Sequence, residues 1–132
     1  MEQKFDSTLE SLGDMFAFLK SASDAFGLDQ ALTFSVNMAV EELFTNMVKY
    51  GASRSREILV GIEKSDSHLN IRLVDFDSEP FDLTDLDAVD TSAPLEKRRP
   101  GGLGIHLVKC IMDEVRYEYK DRTTHISLVK NL

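Results

Sequence analysis

Apolar residues recur along this chain at two spacings, and the change from one to the other divides it into elements. Leu9, Leu12, Phe16 and Leu19 fall three or four residues apart, with Met15 and Phe26 nearby, which predicts an amphipathic helix over 8–25. Residues 2–7 ahead of it fit a short edge strand, and Gly27 supplies the helix stop. Asp29 is a suitable N-cap for a second helix over 30–49, with Leu32, Val36, Ala39, Val40, Leu43 and Met47 as its apolar stripe and Gly51 as its end. The period then shortens to two. Ile58, Val60 and Ile62 alternate, then Leu69, Ile71 and Leu73, with Lys64-Ser65-Asp66-Ser67 between them as turn material, which predicts an antiparallel hairpin. From Asp75 to Pro100 neither period holds, apart from room for a short helical turn at 84–90, and a loop of that length inside a small domain is generally functional or mobile. From Gly104 a third helix places Ile105, Val108, Ile111 and Met112 inward. Val115, Tyr117 and Tyr119 alternate next, and Ile126 and Leu128 follow beyond a turn at Asp121-Arg122, giving a second hairpin.

The order is thus β-α-α-β-β-loop-α-β-β, with no internal repeat. Strands joined mostly as hairpins point to an α+β fold of two layers: a mixed, mainly antiparallel sheet covered on one face by helices. A length of 132 residues suits a single domain over 1–132. Acidic residues outnumber basic ones by 23 to 15, a net charge of -8, which argues against a broad nucleic-acid surface. It leaves room for a small polyanion, because backbone N–H groups and a metal ion can make one pocket locally positive. The single cysteine, Cys110, excludes an intramolecular disulfide and any multi-cysteine metal site, and its apolar neighbours predict a buried thiol. No stretch approaches the ~20 apolar residues of a spanning helix, and the first residues carry no signal-peptide pattern. The expectation is a cytoplasmic protein with no membrane contact.

Three segments can carry chemistry. Glu42, Asn46 and Lys49 stand one turn apart on one side of the second helix. This is either an ordinary solvent-facing stripe or a carboxylate beside a hard oxygen ligand for Mg²⁺. In Pro100-Gly101-Gly102-Leu103-Gly104, glycines allow close backbone approach just before a helix whose first N–H groups lack partners. Arg98 and Arg99 add positive charge there. The same glycines also make a plain helix cap, and neither a Walker A lysine nor a preceding strand accompanies them. Asp75-Phe76-Asp77-Ser78-Glu79-Pro80-Phe81-Asp82 follows an alternating strand. A carboxylate at a strand end can accept from an adenine amino group, or simply open an acidic loop.

Taken together these segments resemble the Bergerat-type ATP-binding fold of histidine kinases, gyrase-type ATPases, Hsp90 chaperones and mismatch-repair proteins. The likeness is greatest to the small anti-sigma-factor serine kinases. Glu42-Leu43-Phe44-Thr45-Asn46-Met47-Val48-Lys49-Tyr50-Gly51 matches the family's first box, and Gly101-Gly102-Leu103-Gly104-Ile105-His106-Leu107-Val108 its second glycine box. The resemblance spans nearly the whole chain.

It implies that Asn46 holds Mg²⁺ against ATP phosphates and that Glu42 is general base toward an attacking hydroxyl. Gly101, Gly102, Leu103 and Gly104 would cradle phosphates, and 83–100 would form the ATP lid. Lys49, Asp75, Phe81 and Arg99 would complete the nucleotide site. The acceptor would be a serine of a small anti-sigma-factor antagonist. A sigma factor would be the second partner when that antagonist is unavailable, and the protein would be a homodimer. The middle box departs from the family pattern. Pro80-Phe81-Asp82 is intact, but the expected glycine before it is missing. Aligning on Asp75 puts Asp77 at the glycine position with one residue inserted, whereas aligning on Ser78 puts Phe76 where the adenine carboxylate belongs. Asp75 is the better reader on chemical grounds, with Asp77 a rival. The departure leaves a second reading open, a regulatory module with this fold that binds a partner without transferring phosphate.

Overall fold

The computed structural model describes residues 1–50, 57–76 and 102–132, with the backbone alone at 50 and 102–105. The elements are β1 (Glu2–Asp6), a 3-10 turn (Leu9–Ser11), α1 (Leu12–Phe26), α2 (Gln30–Tyr50), β2 (Glu57–Lys64), β3 (His68–Asp75), α3 (Gly102–Ile111), β4 (Glu114–Lys120) and β5 (Thr123–Asn131). The helix foreseen over 8–25 is therefore a 3-10 turn running into α1. The third helix starts two residues earlier than its apolar pattern shows, because glycines carry no hydropathy signal. Gly51, the middle box beyond Phe76, the turn foreseen at 84–90 and the lid at 83–100 lie outside the described residues.

Local chemistry accounts for the helix boundaries. Gly27 adopts a left-handed φ of 65°, where its N–H reaches the Asp24 carbonyl and the N–H of Leu28 reaches that of Ser23. Such a 6→1 closure satisfies carbonyls that a helix end would otherwise leave open, and glycine enters that conformation without a Cβ clash. Two residues later the Asp29 carboxylate accepts from the N–H of Leu32 at 2.8 Å, capping α2.

The strands form one sheet of order β1-β2-β3-β5-β4, antiparallel at every pairing among the described residues. The mixed character expected of the sheet thus does not appear among them. Alternation sends Ile58, Val60 and Ile62, then Leu69, Ile71 and Leu73, then Ile126 and Leu128, to one face, where all are buried. Met15, Phe18, Leu19 and Ala22 of α1 and Val36, Ala39, Val40, Leu43, Phe44 and Met47 of α2 meet them there. Phe5, from the edge strand β1, enters the same core edge-on to Phe18 at 5.9 Å and to Phe44 at 6.3 Å. The opposite face is more polar, with Leu59 and Val74 paired as its apolar part. Gly61 lies in the row Glu2–Gly61–Arg72, and the Arg72 guanidinium reaches Glu2 at 2.7 Å across the space its missing side chain leaves. A Cβ there would stand 3.2 Å from the guanidinium. The β4–β5 turn sets Asp121 and Arg122 both at positive φ, 52° and 60°, as a two-residue hairpin of this twist demands.

Candidate functional site

Asn46 sits well inside α2, only 3% exposed, between the core residues Leu43 and Met47. A carboxamide so placed needs hydrogen-bond partners. Its Nδ2 donates to the Glu42 backbone carbonyl at 2.6 Å and to Glu42 Oε1 at 2.8 Å. Both contacts use the nitrogen, so the amide is held with Oδ1 turned away from Glu42. Glu42 is half-buried and Lys49 exposed. The α-helical spacing thus brings carboxylate and amide into direct contact, as the sequence suggests, and leaves Lys49 in solvent. Thr45 beside them donates its hydroxyl to the Glu41 carbonyl.

Asp75 ends β3 on the helix-facing side of the sheet and is 2% exposed. Register places Ile58 on one flank and Thr124 on the other, and Tyr119 lies beyond Thr124 in the same row. Thr124 is itself 1% exposed. A buried carboxylate and a buried hydroxyl therefore stand side by side at one end of the sheet. Phe76, the next residue, turns to the other face, where Lys4 Nζ lies 5.3 Å from its ring centre. Asp77, the rival adenine reader, is not among the described residues, and neither are Phe81, Arg99 and Gly101. Gly102, Leu103 and Gly104 form the first turn of α3, and α3 packs on α2, which also touches β3.

Thr124 was not among the sequence candidates. Its signal is nevertheless present: the alternation of Ile126 and Leu128, run backwards by two, puts a threonine at an inward position. Cys110 corrects an expectation. It is exposed, with Sγ 3.7 Å from His106 Nε2 one turn before it. At ~100° per residue it stands about 200° around the helix from the buried Val108, so apolar neighbours in sequence are not neighbours on its face.

Among the described residues no three His, Cys, Asp or Glu side chains gather as metal ligands. An all-protein metal cage is thus absent from them. A single hard oxygen such as Asn46 Oδ1 instead suits Mg²⁺, which commonly takes one or two protein ligands and completes its shell with phosphate and water. No helix among them is long and apolar enough to cross a membrane.

Residues 5–130 match the family of the histidine kinase-like ATPase domain. The chain is 29% identical over 122 residues to the serine-protein kinase RsbW of Oceanobacillus iheyensis, covering 88% of this chain and 77% of that one. It is 27% identical over 138 residues to RsbW of Bacillus licheniformis, covering 100% of this chain and 85% of that one. Among solved structures it is similar to the RsbU and RsbW domains of a Mycobacterium tuberculosis protein, with TM-score 0.66 and 13% identity over 98% of this chain but only 32% of that one. It is also similar to a chain of the SiaB–SiaC complex of Pseudomonas aeruginosa, with TM-score 0.54 and 14% identity over 98% of this chain and 89% of that one. At such identities the two structures bear on the fold alone.

Proposed function

The chain belongs to the histidine kinase-like ATPase domain family, and from that premise we propose that it is a Mg-ATP-dependent protein serine kinase acting in anti-sigma-factor partner switching. The observation that carries the reading is the buried Asn46, locked by Glu42 on a helix that touches both the strand ending in Asp75 and the glycine-led helix α3. Support also comes from the two curated relatives, both named serine-protein kinases.

In this reading the adenine amino group donates to Asp75, with Thr124 beside it. Phosphates lie on the backbone of Gly101, Gly102, Leu103 and Gly104, at the positive end of α3. Phe81 and Arg99 would belong to the nucleotide site and 83–100 to its lid, and Lys49 adds charge from α2. Asn46 Oδ1 would be the protein's oxygen for Mg²⁺, whose charge would offset that of the phosphates. Glu42 does the proton work. The serine Oγ attacks the γ-phosphorus, the new O–P bond forms as the bond to the β–γ bridging oxygen breaks, ADP departs, and the serine proton passes to the Glu42 carboxylate. The Asn46 bond engages Oε1 and holds the carboxylate in place for that transfer.

The acceptor is a serine of a small anti-sigma-factor antagonist, and a sigma factor is the alternative partner. Residues 1–132 form one domain in this reading, paired as a homodimer in the cytoplasm. Glu42→Gln tests the central role. ATP affinity should stay within about twofold, while phosphoryl transfer falls by ~10² or more, the usual worth of a general base. Calorimetry and a phosphoserine assay read the two quantities, and an equal loss in both would count against the assignment. The missing glycine before Pro80 favours one second reading, a non-catalytic ATP-binding module that sequesters its partner. That module requires the wild type to transfer no phosphate at all.

A further inference from the structure

Lys130 brings a charge into a row of the sheet otherwise given to Thr124, Ile126 and Leu128. The alternation of β5 directs it to the helix-facing side, where the side chain is half-buried rather than free in solvent. Its Nζ donates to the carbonyl of Ile111, the last residue of α3, at 2.7 Å. The carbonyls at a helix end have no intrahelical donor, and a cation placed there also opposes the negative end of the helix dipole. Two further contacts, one backbone to backbone and one through a carboxylate, close the same junction. The N–H of Asp113 donates to the Val129 carbonyl at 2.8 Å, and Asp113 Oδ2 accepts from the N–H of Asn131 at 2.6 Å. The C-terminal end of α3 is thus fastened to β5 while its first turn is the glycine segment. A helix of 10 residues is a rigid rod of ~15 Å, so fixing one end sets where the other stands.

We infer that Lys130 is a positioning residue for phosphate binding: by holding Ile111 it sets the axial position of α3, and with it the N–H groups of the first turn. The inference rests on the nucleotide reading above. It predicts a selective defect, because adenine is read from β3 and β5 while the phosphates are read from α3.

The experiment compares Lys130→Met, which keeps the aliphatic stem and removes the ammonium, with Lys130→Arg, which keeps a cation. Dissociation constants for Mg-ATP and for adenosine are measured by calorimetry, with a thermal melt to establish folding. The Met variant should bind Mg-ATP about three- to tenfold more weakly, the range expected for one charge-assisted bond at a helix end. Its adenosine affinity should stay within about twofold of wild type, and Lys130→Arg should restore most of the Mg-ATP affinity. Unchanged Mg-ATP binding in the Met variant, or an equal loss for both ligands, would overturn the inference. Should the Met variant fail to fold, Lys130→Gln carries the same expectation. A wild-type protein that takes up neither ligand would overturn the nucleotide reading itself.

Discussion

A carboxamide set between Leu43 and Met47 costs about 1–3 kcal/mol if its polar atoms find no partner, and Asn46 meets part of that need through two bonds to Glu42. The two residues therefore explain each other's position on α2 before any ligand is considered. Ser23 shows the opposite case. It is 4% exposed on α1, and its Oγ has no hydrogen-bond partner among the described residues. Its backbone carbonyl, which accepts from Leu28, does the structural work at that turn. Removing the hydroxyl deletes a desolvated group and adds helix propensity. Ser23→Ala should consequently leave stability unchanged or raise it by up to ~1 kcal/mol, as read from urea unfolding. A loss of more than ~1 kcal/mol would mean that the hydroxyl is engaged after all.

At the scale of elements, β1 is short and lies at the sheet edge, yet it contributes Phe5 to a three-ring contact with α1 and α2. Phe5→Ala would open a cavity between sheet and helices and should destabilise by ~3–5 kcal/mol; an effect below ~1 kcal/mol in equilibrium unfolding would show that β1 docks independently of the core. How far the elements were legible in the sequence follows from what each signal depends on. Gly27, Asp29 and the alternation of both hairpins are local chemistry, and each appears where its residues place it. Glu42 and Asn46 were legible because a helix alone brings positions four apart together. Alternation marks Thr124 as inward, but its place beside Asp75, like the reach of Lys130, comes from strand order. Only when β5 lies between β3 and β4 does Thr124 flank Asp75 and Lys130 reach α3. Cys110 was misjudged for a related reason, with sequence neighbours standing in for neighbours on one helix face.

Over the described residues, the helices cover one face of the sheet, and the three segments singled out in sequence fall on α2, with Glu42 and Asn46, and on the two elements it touches, β3 with Asp75 and α3 with its glycine turn. The net charge of -8 disfavours a polyanion on the surface at large, so a triphosphate must be held by a site of particular construction. In the proposed site Asn46 is the residue on which that construction turns, because its amide bonds the Glu42 carboxylate through nitrogen and would offer its oxygen to the metal. The most direct measurement is a calorimetric titration of wild-type protein and Asn46→Ala with ATP, with and without Mg²⁺. Saturable binding to the wild type that strengthens with Mg²⁺, and loss of that strengthening in a still-folded Asn46→Ala, is the predicted result. No heat of binding at millimolar Mg-ATP, or an Asn46→Ala variant that responds to Mg²⁺ as the wild type does, would contradict it.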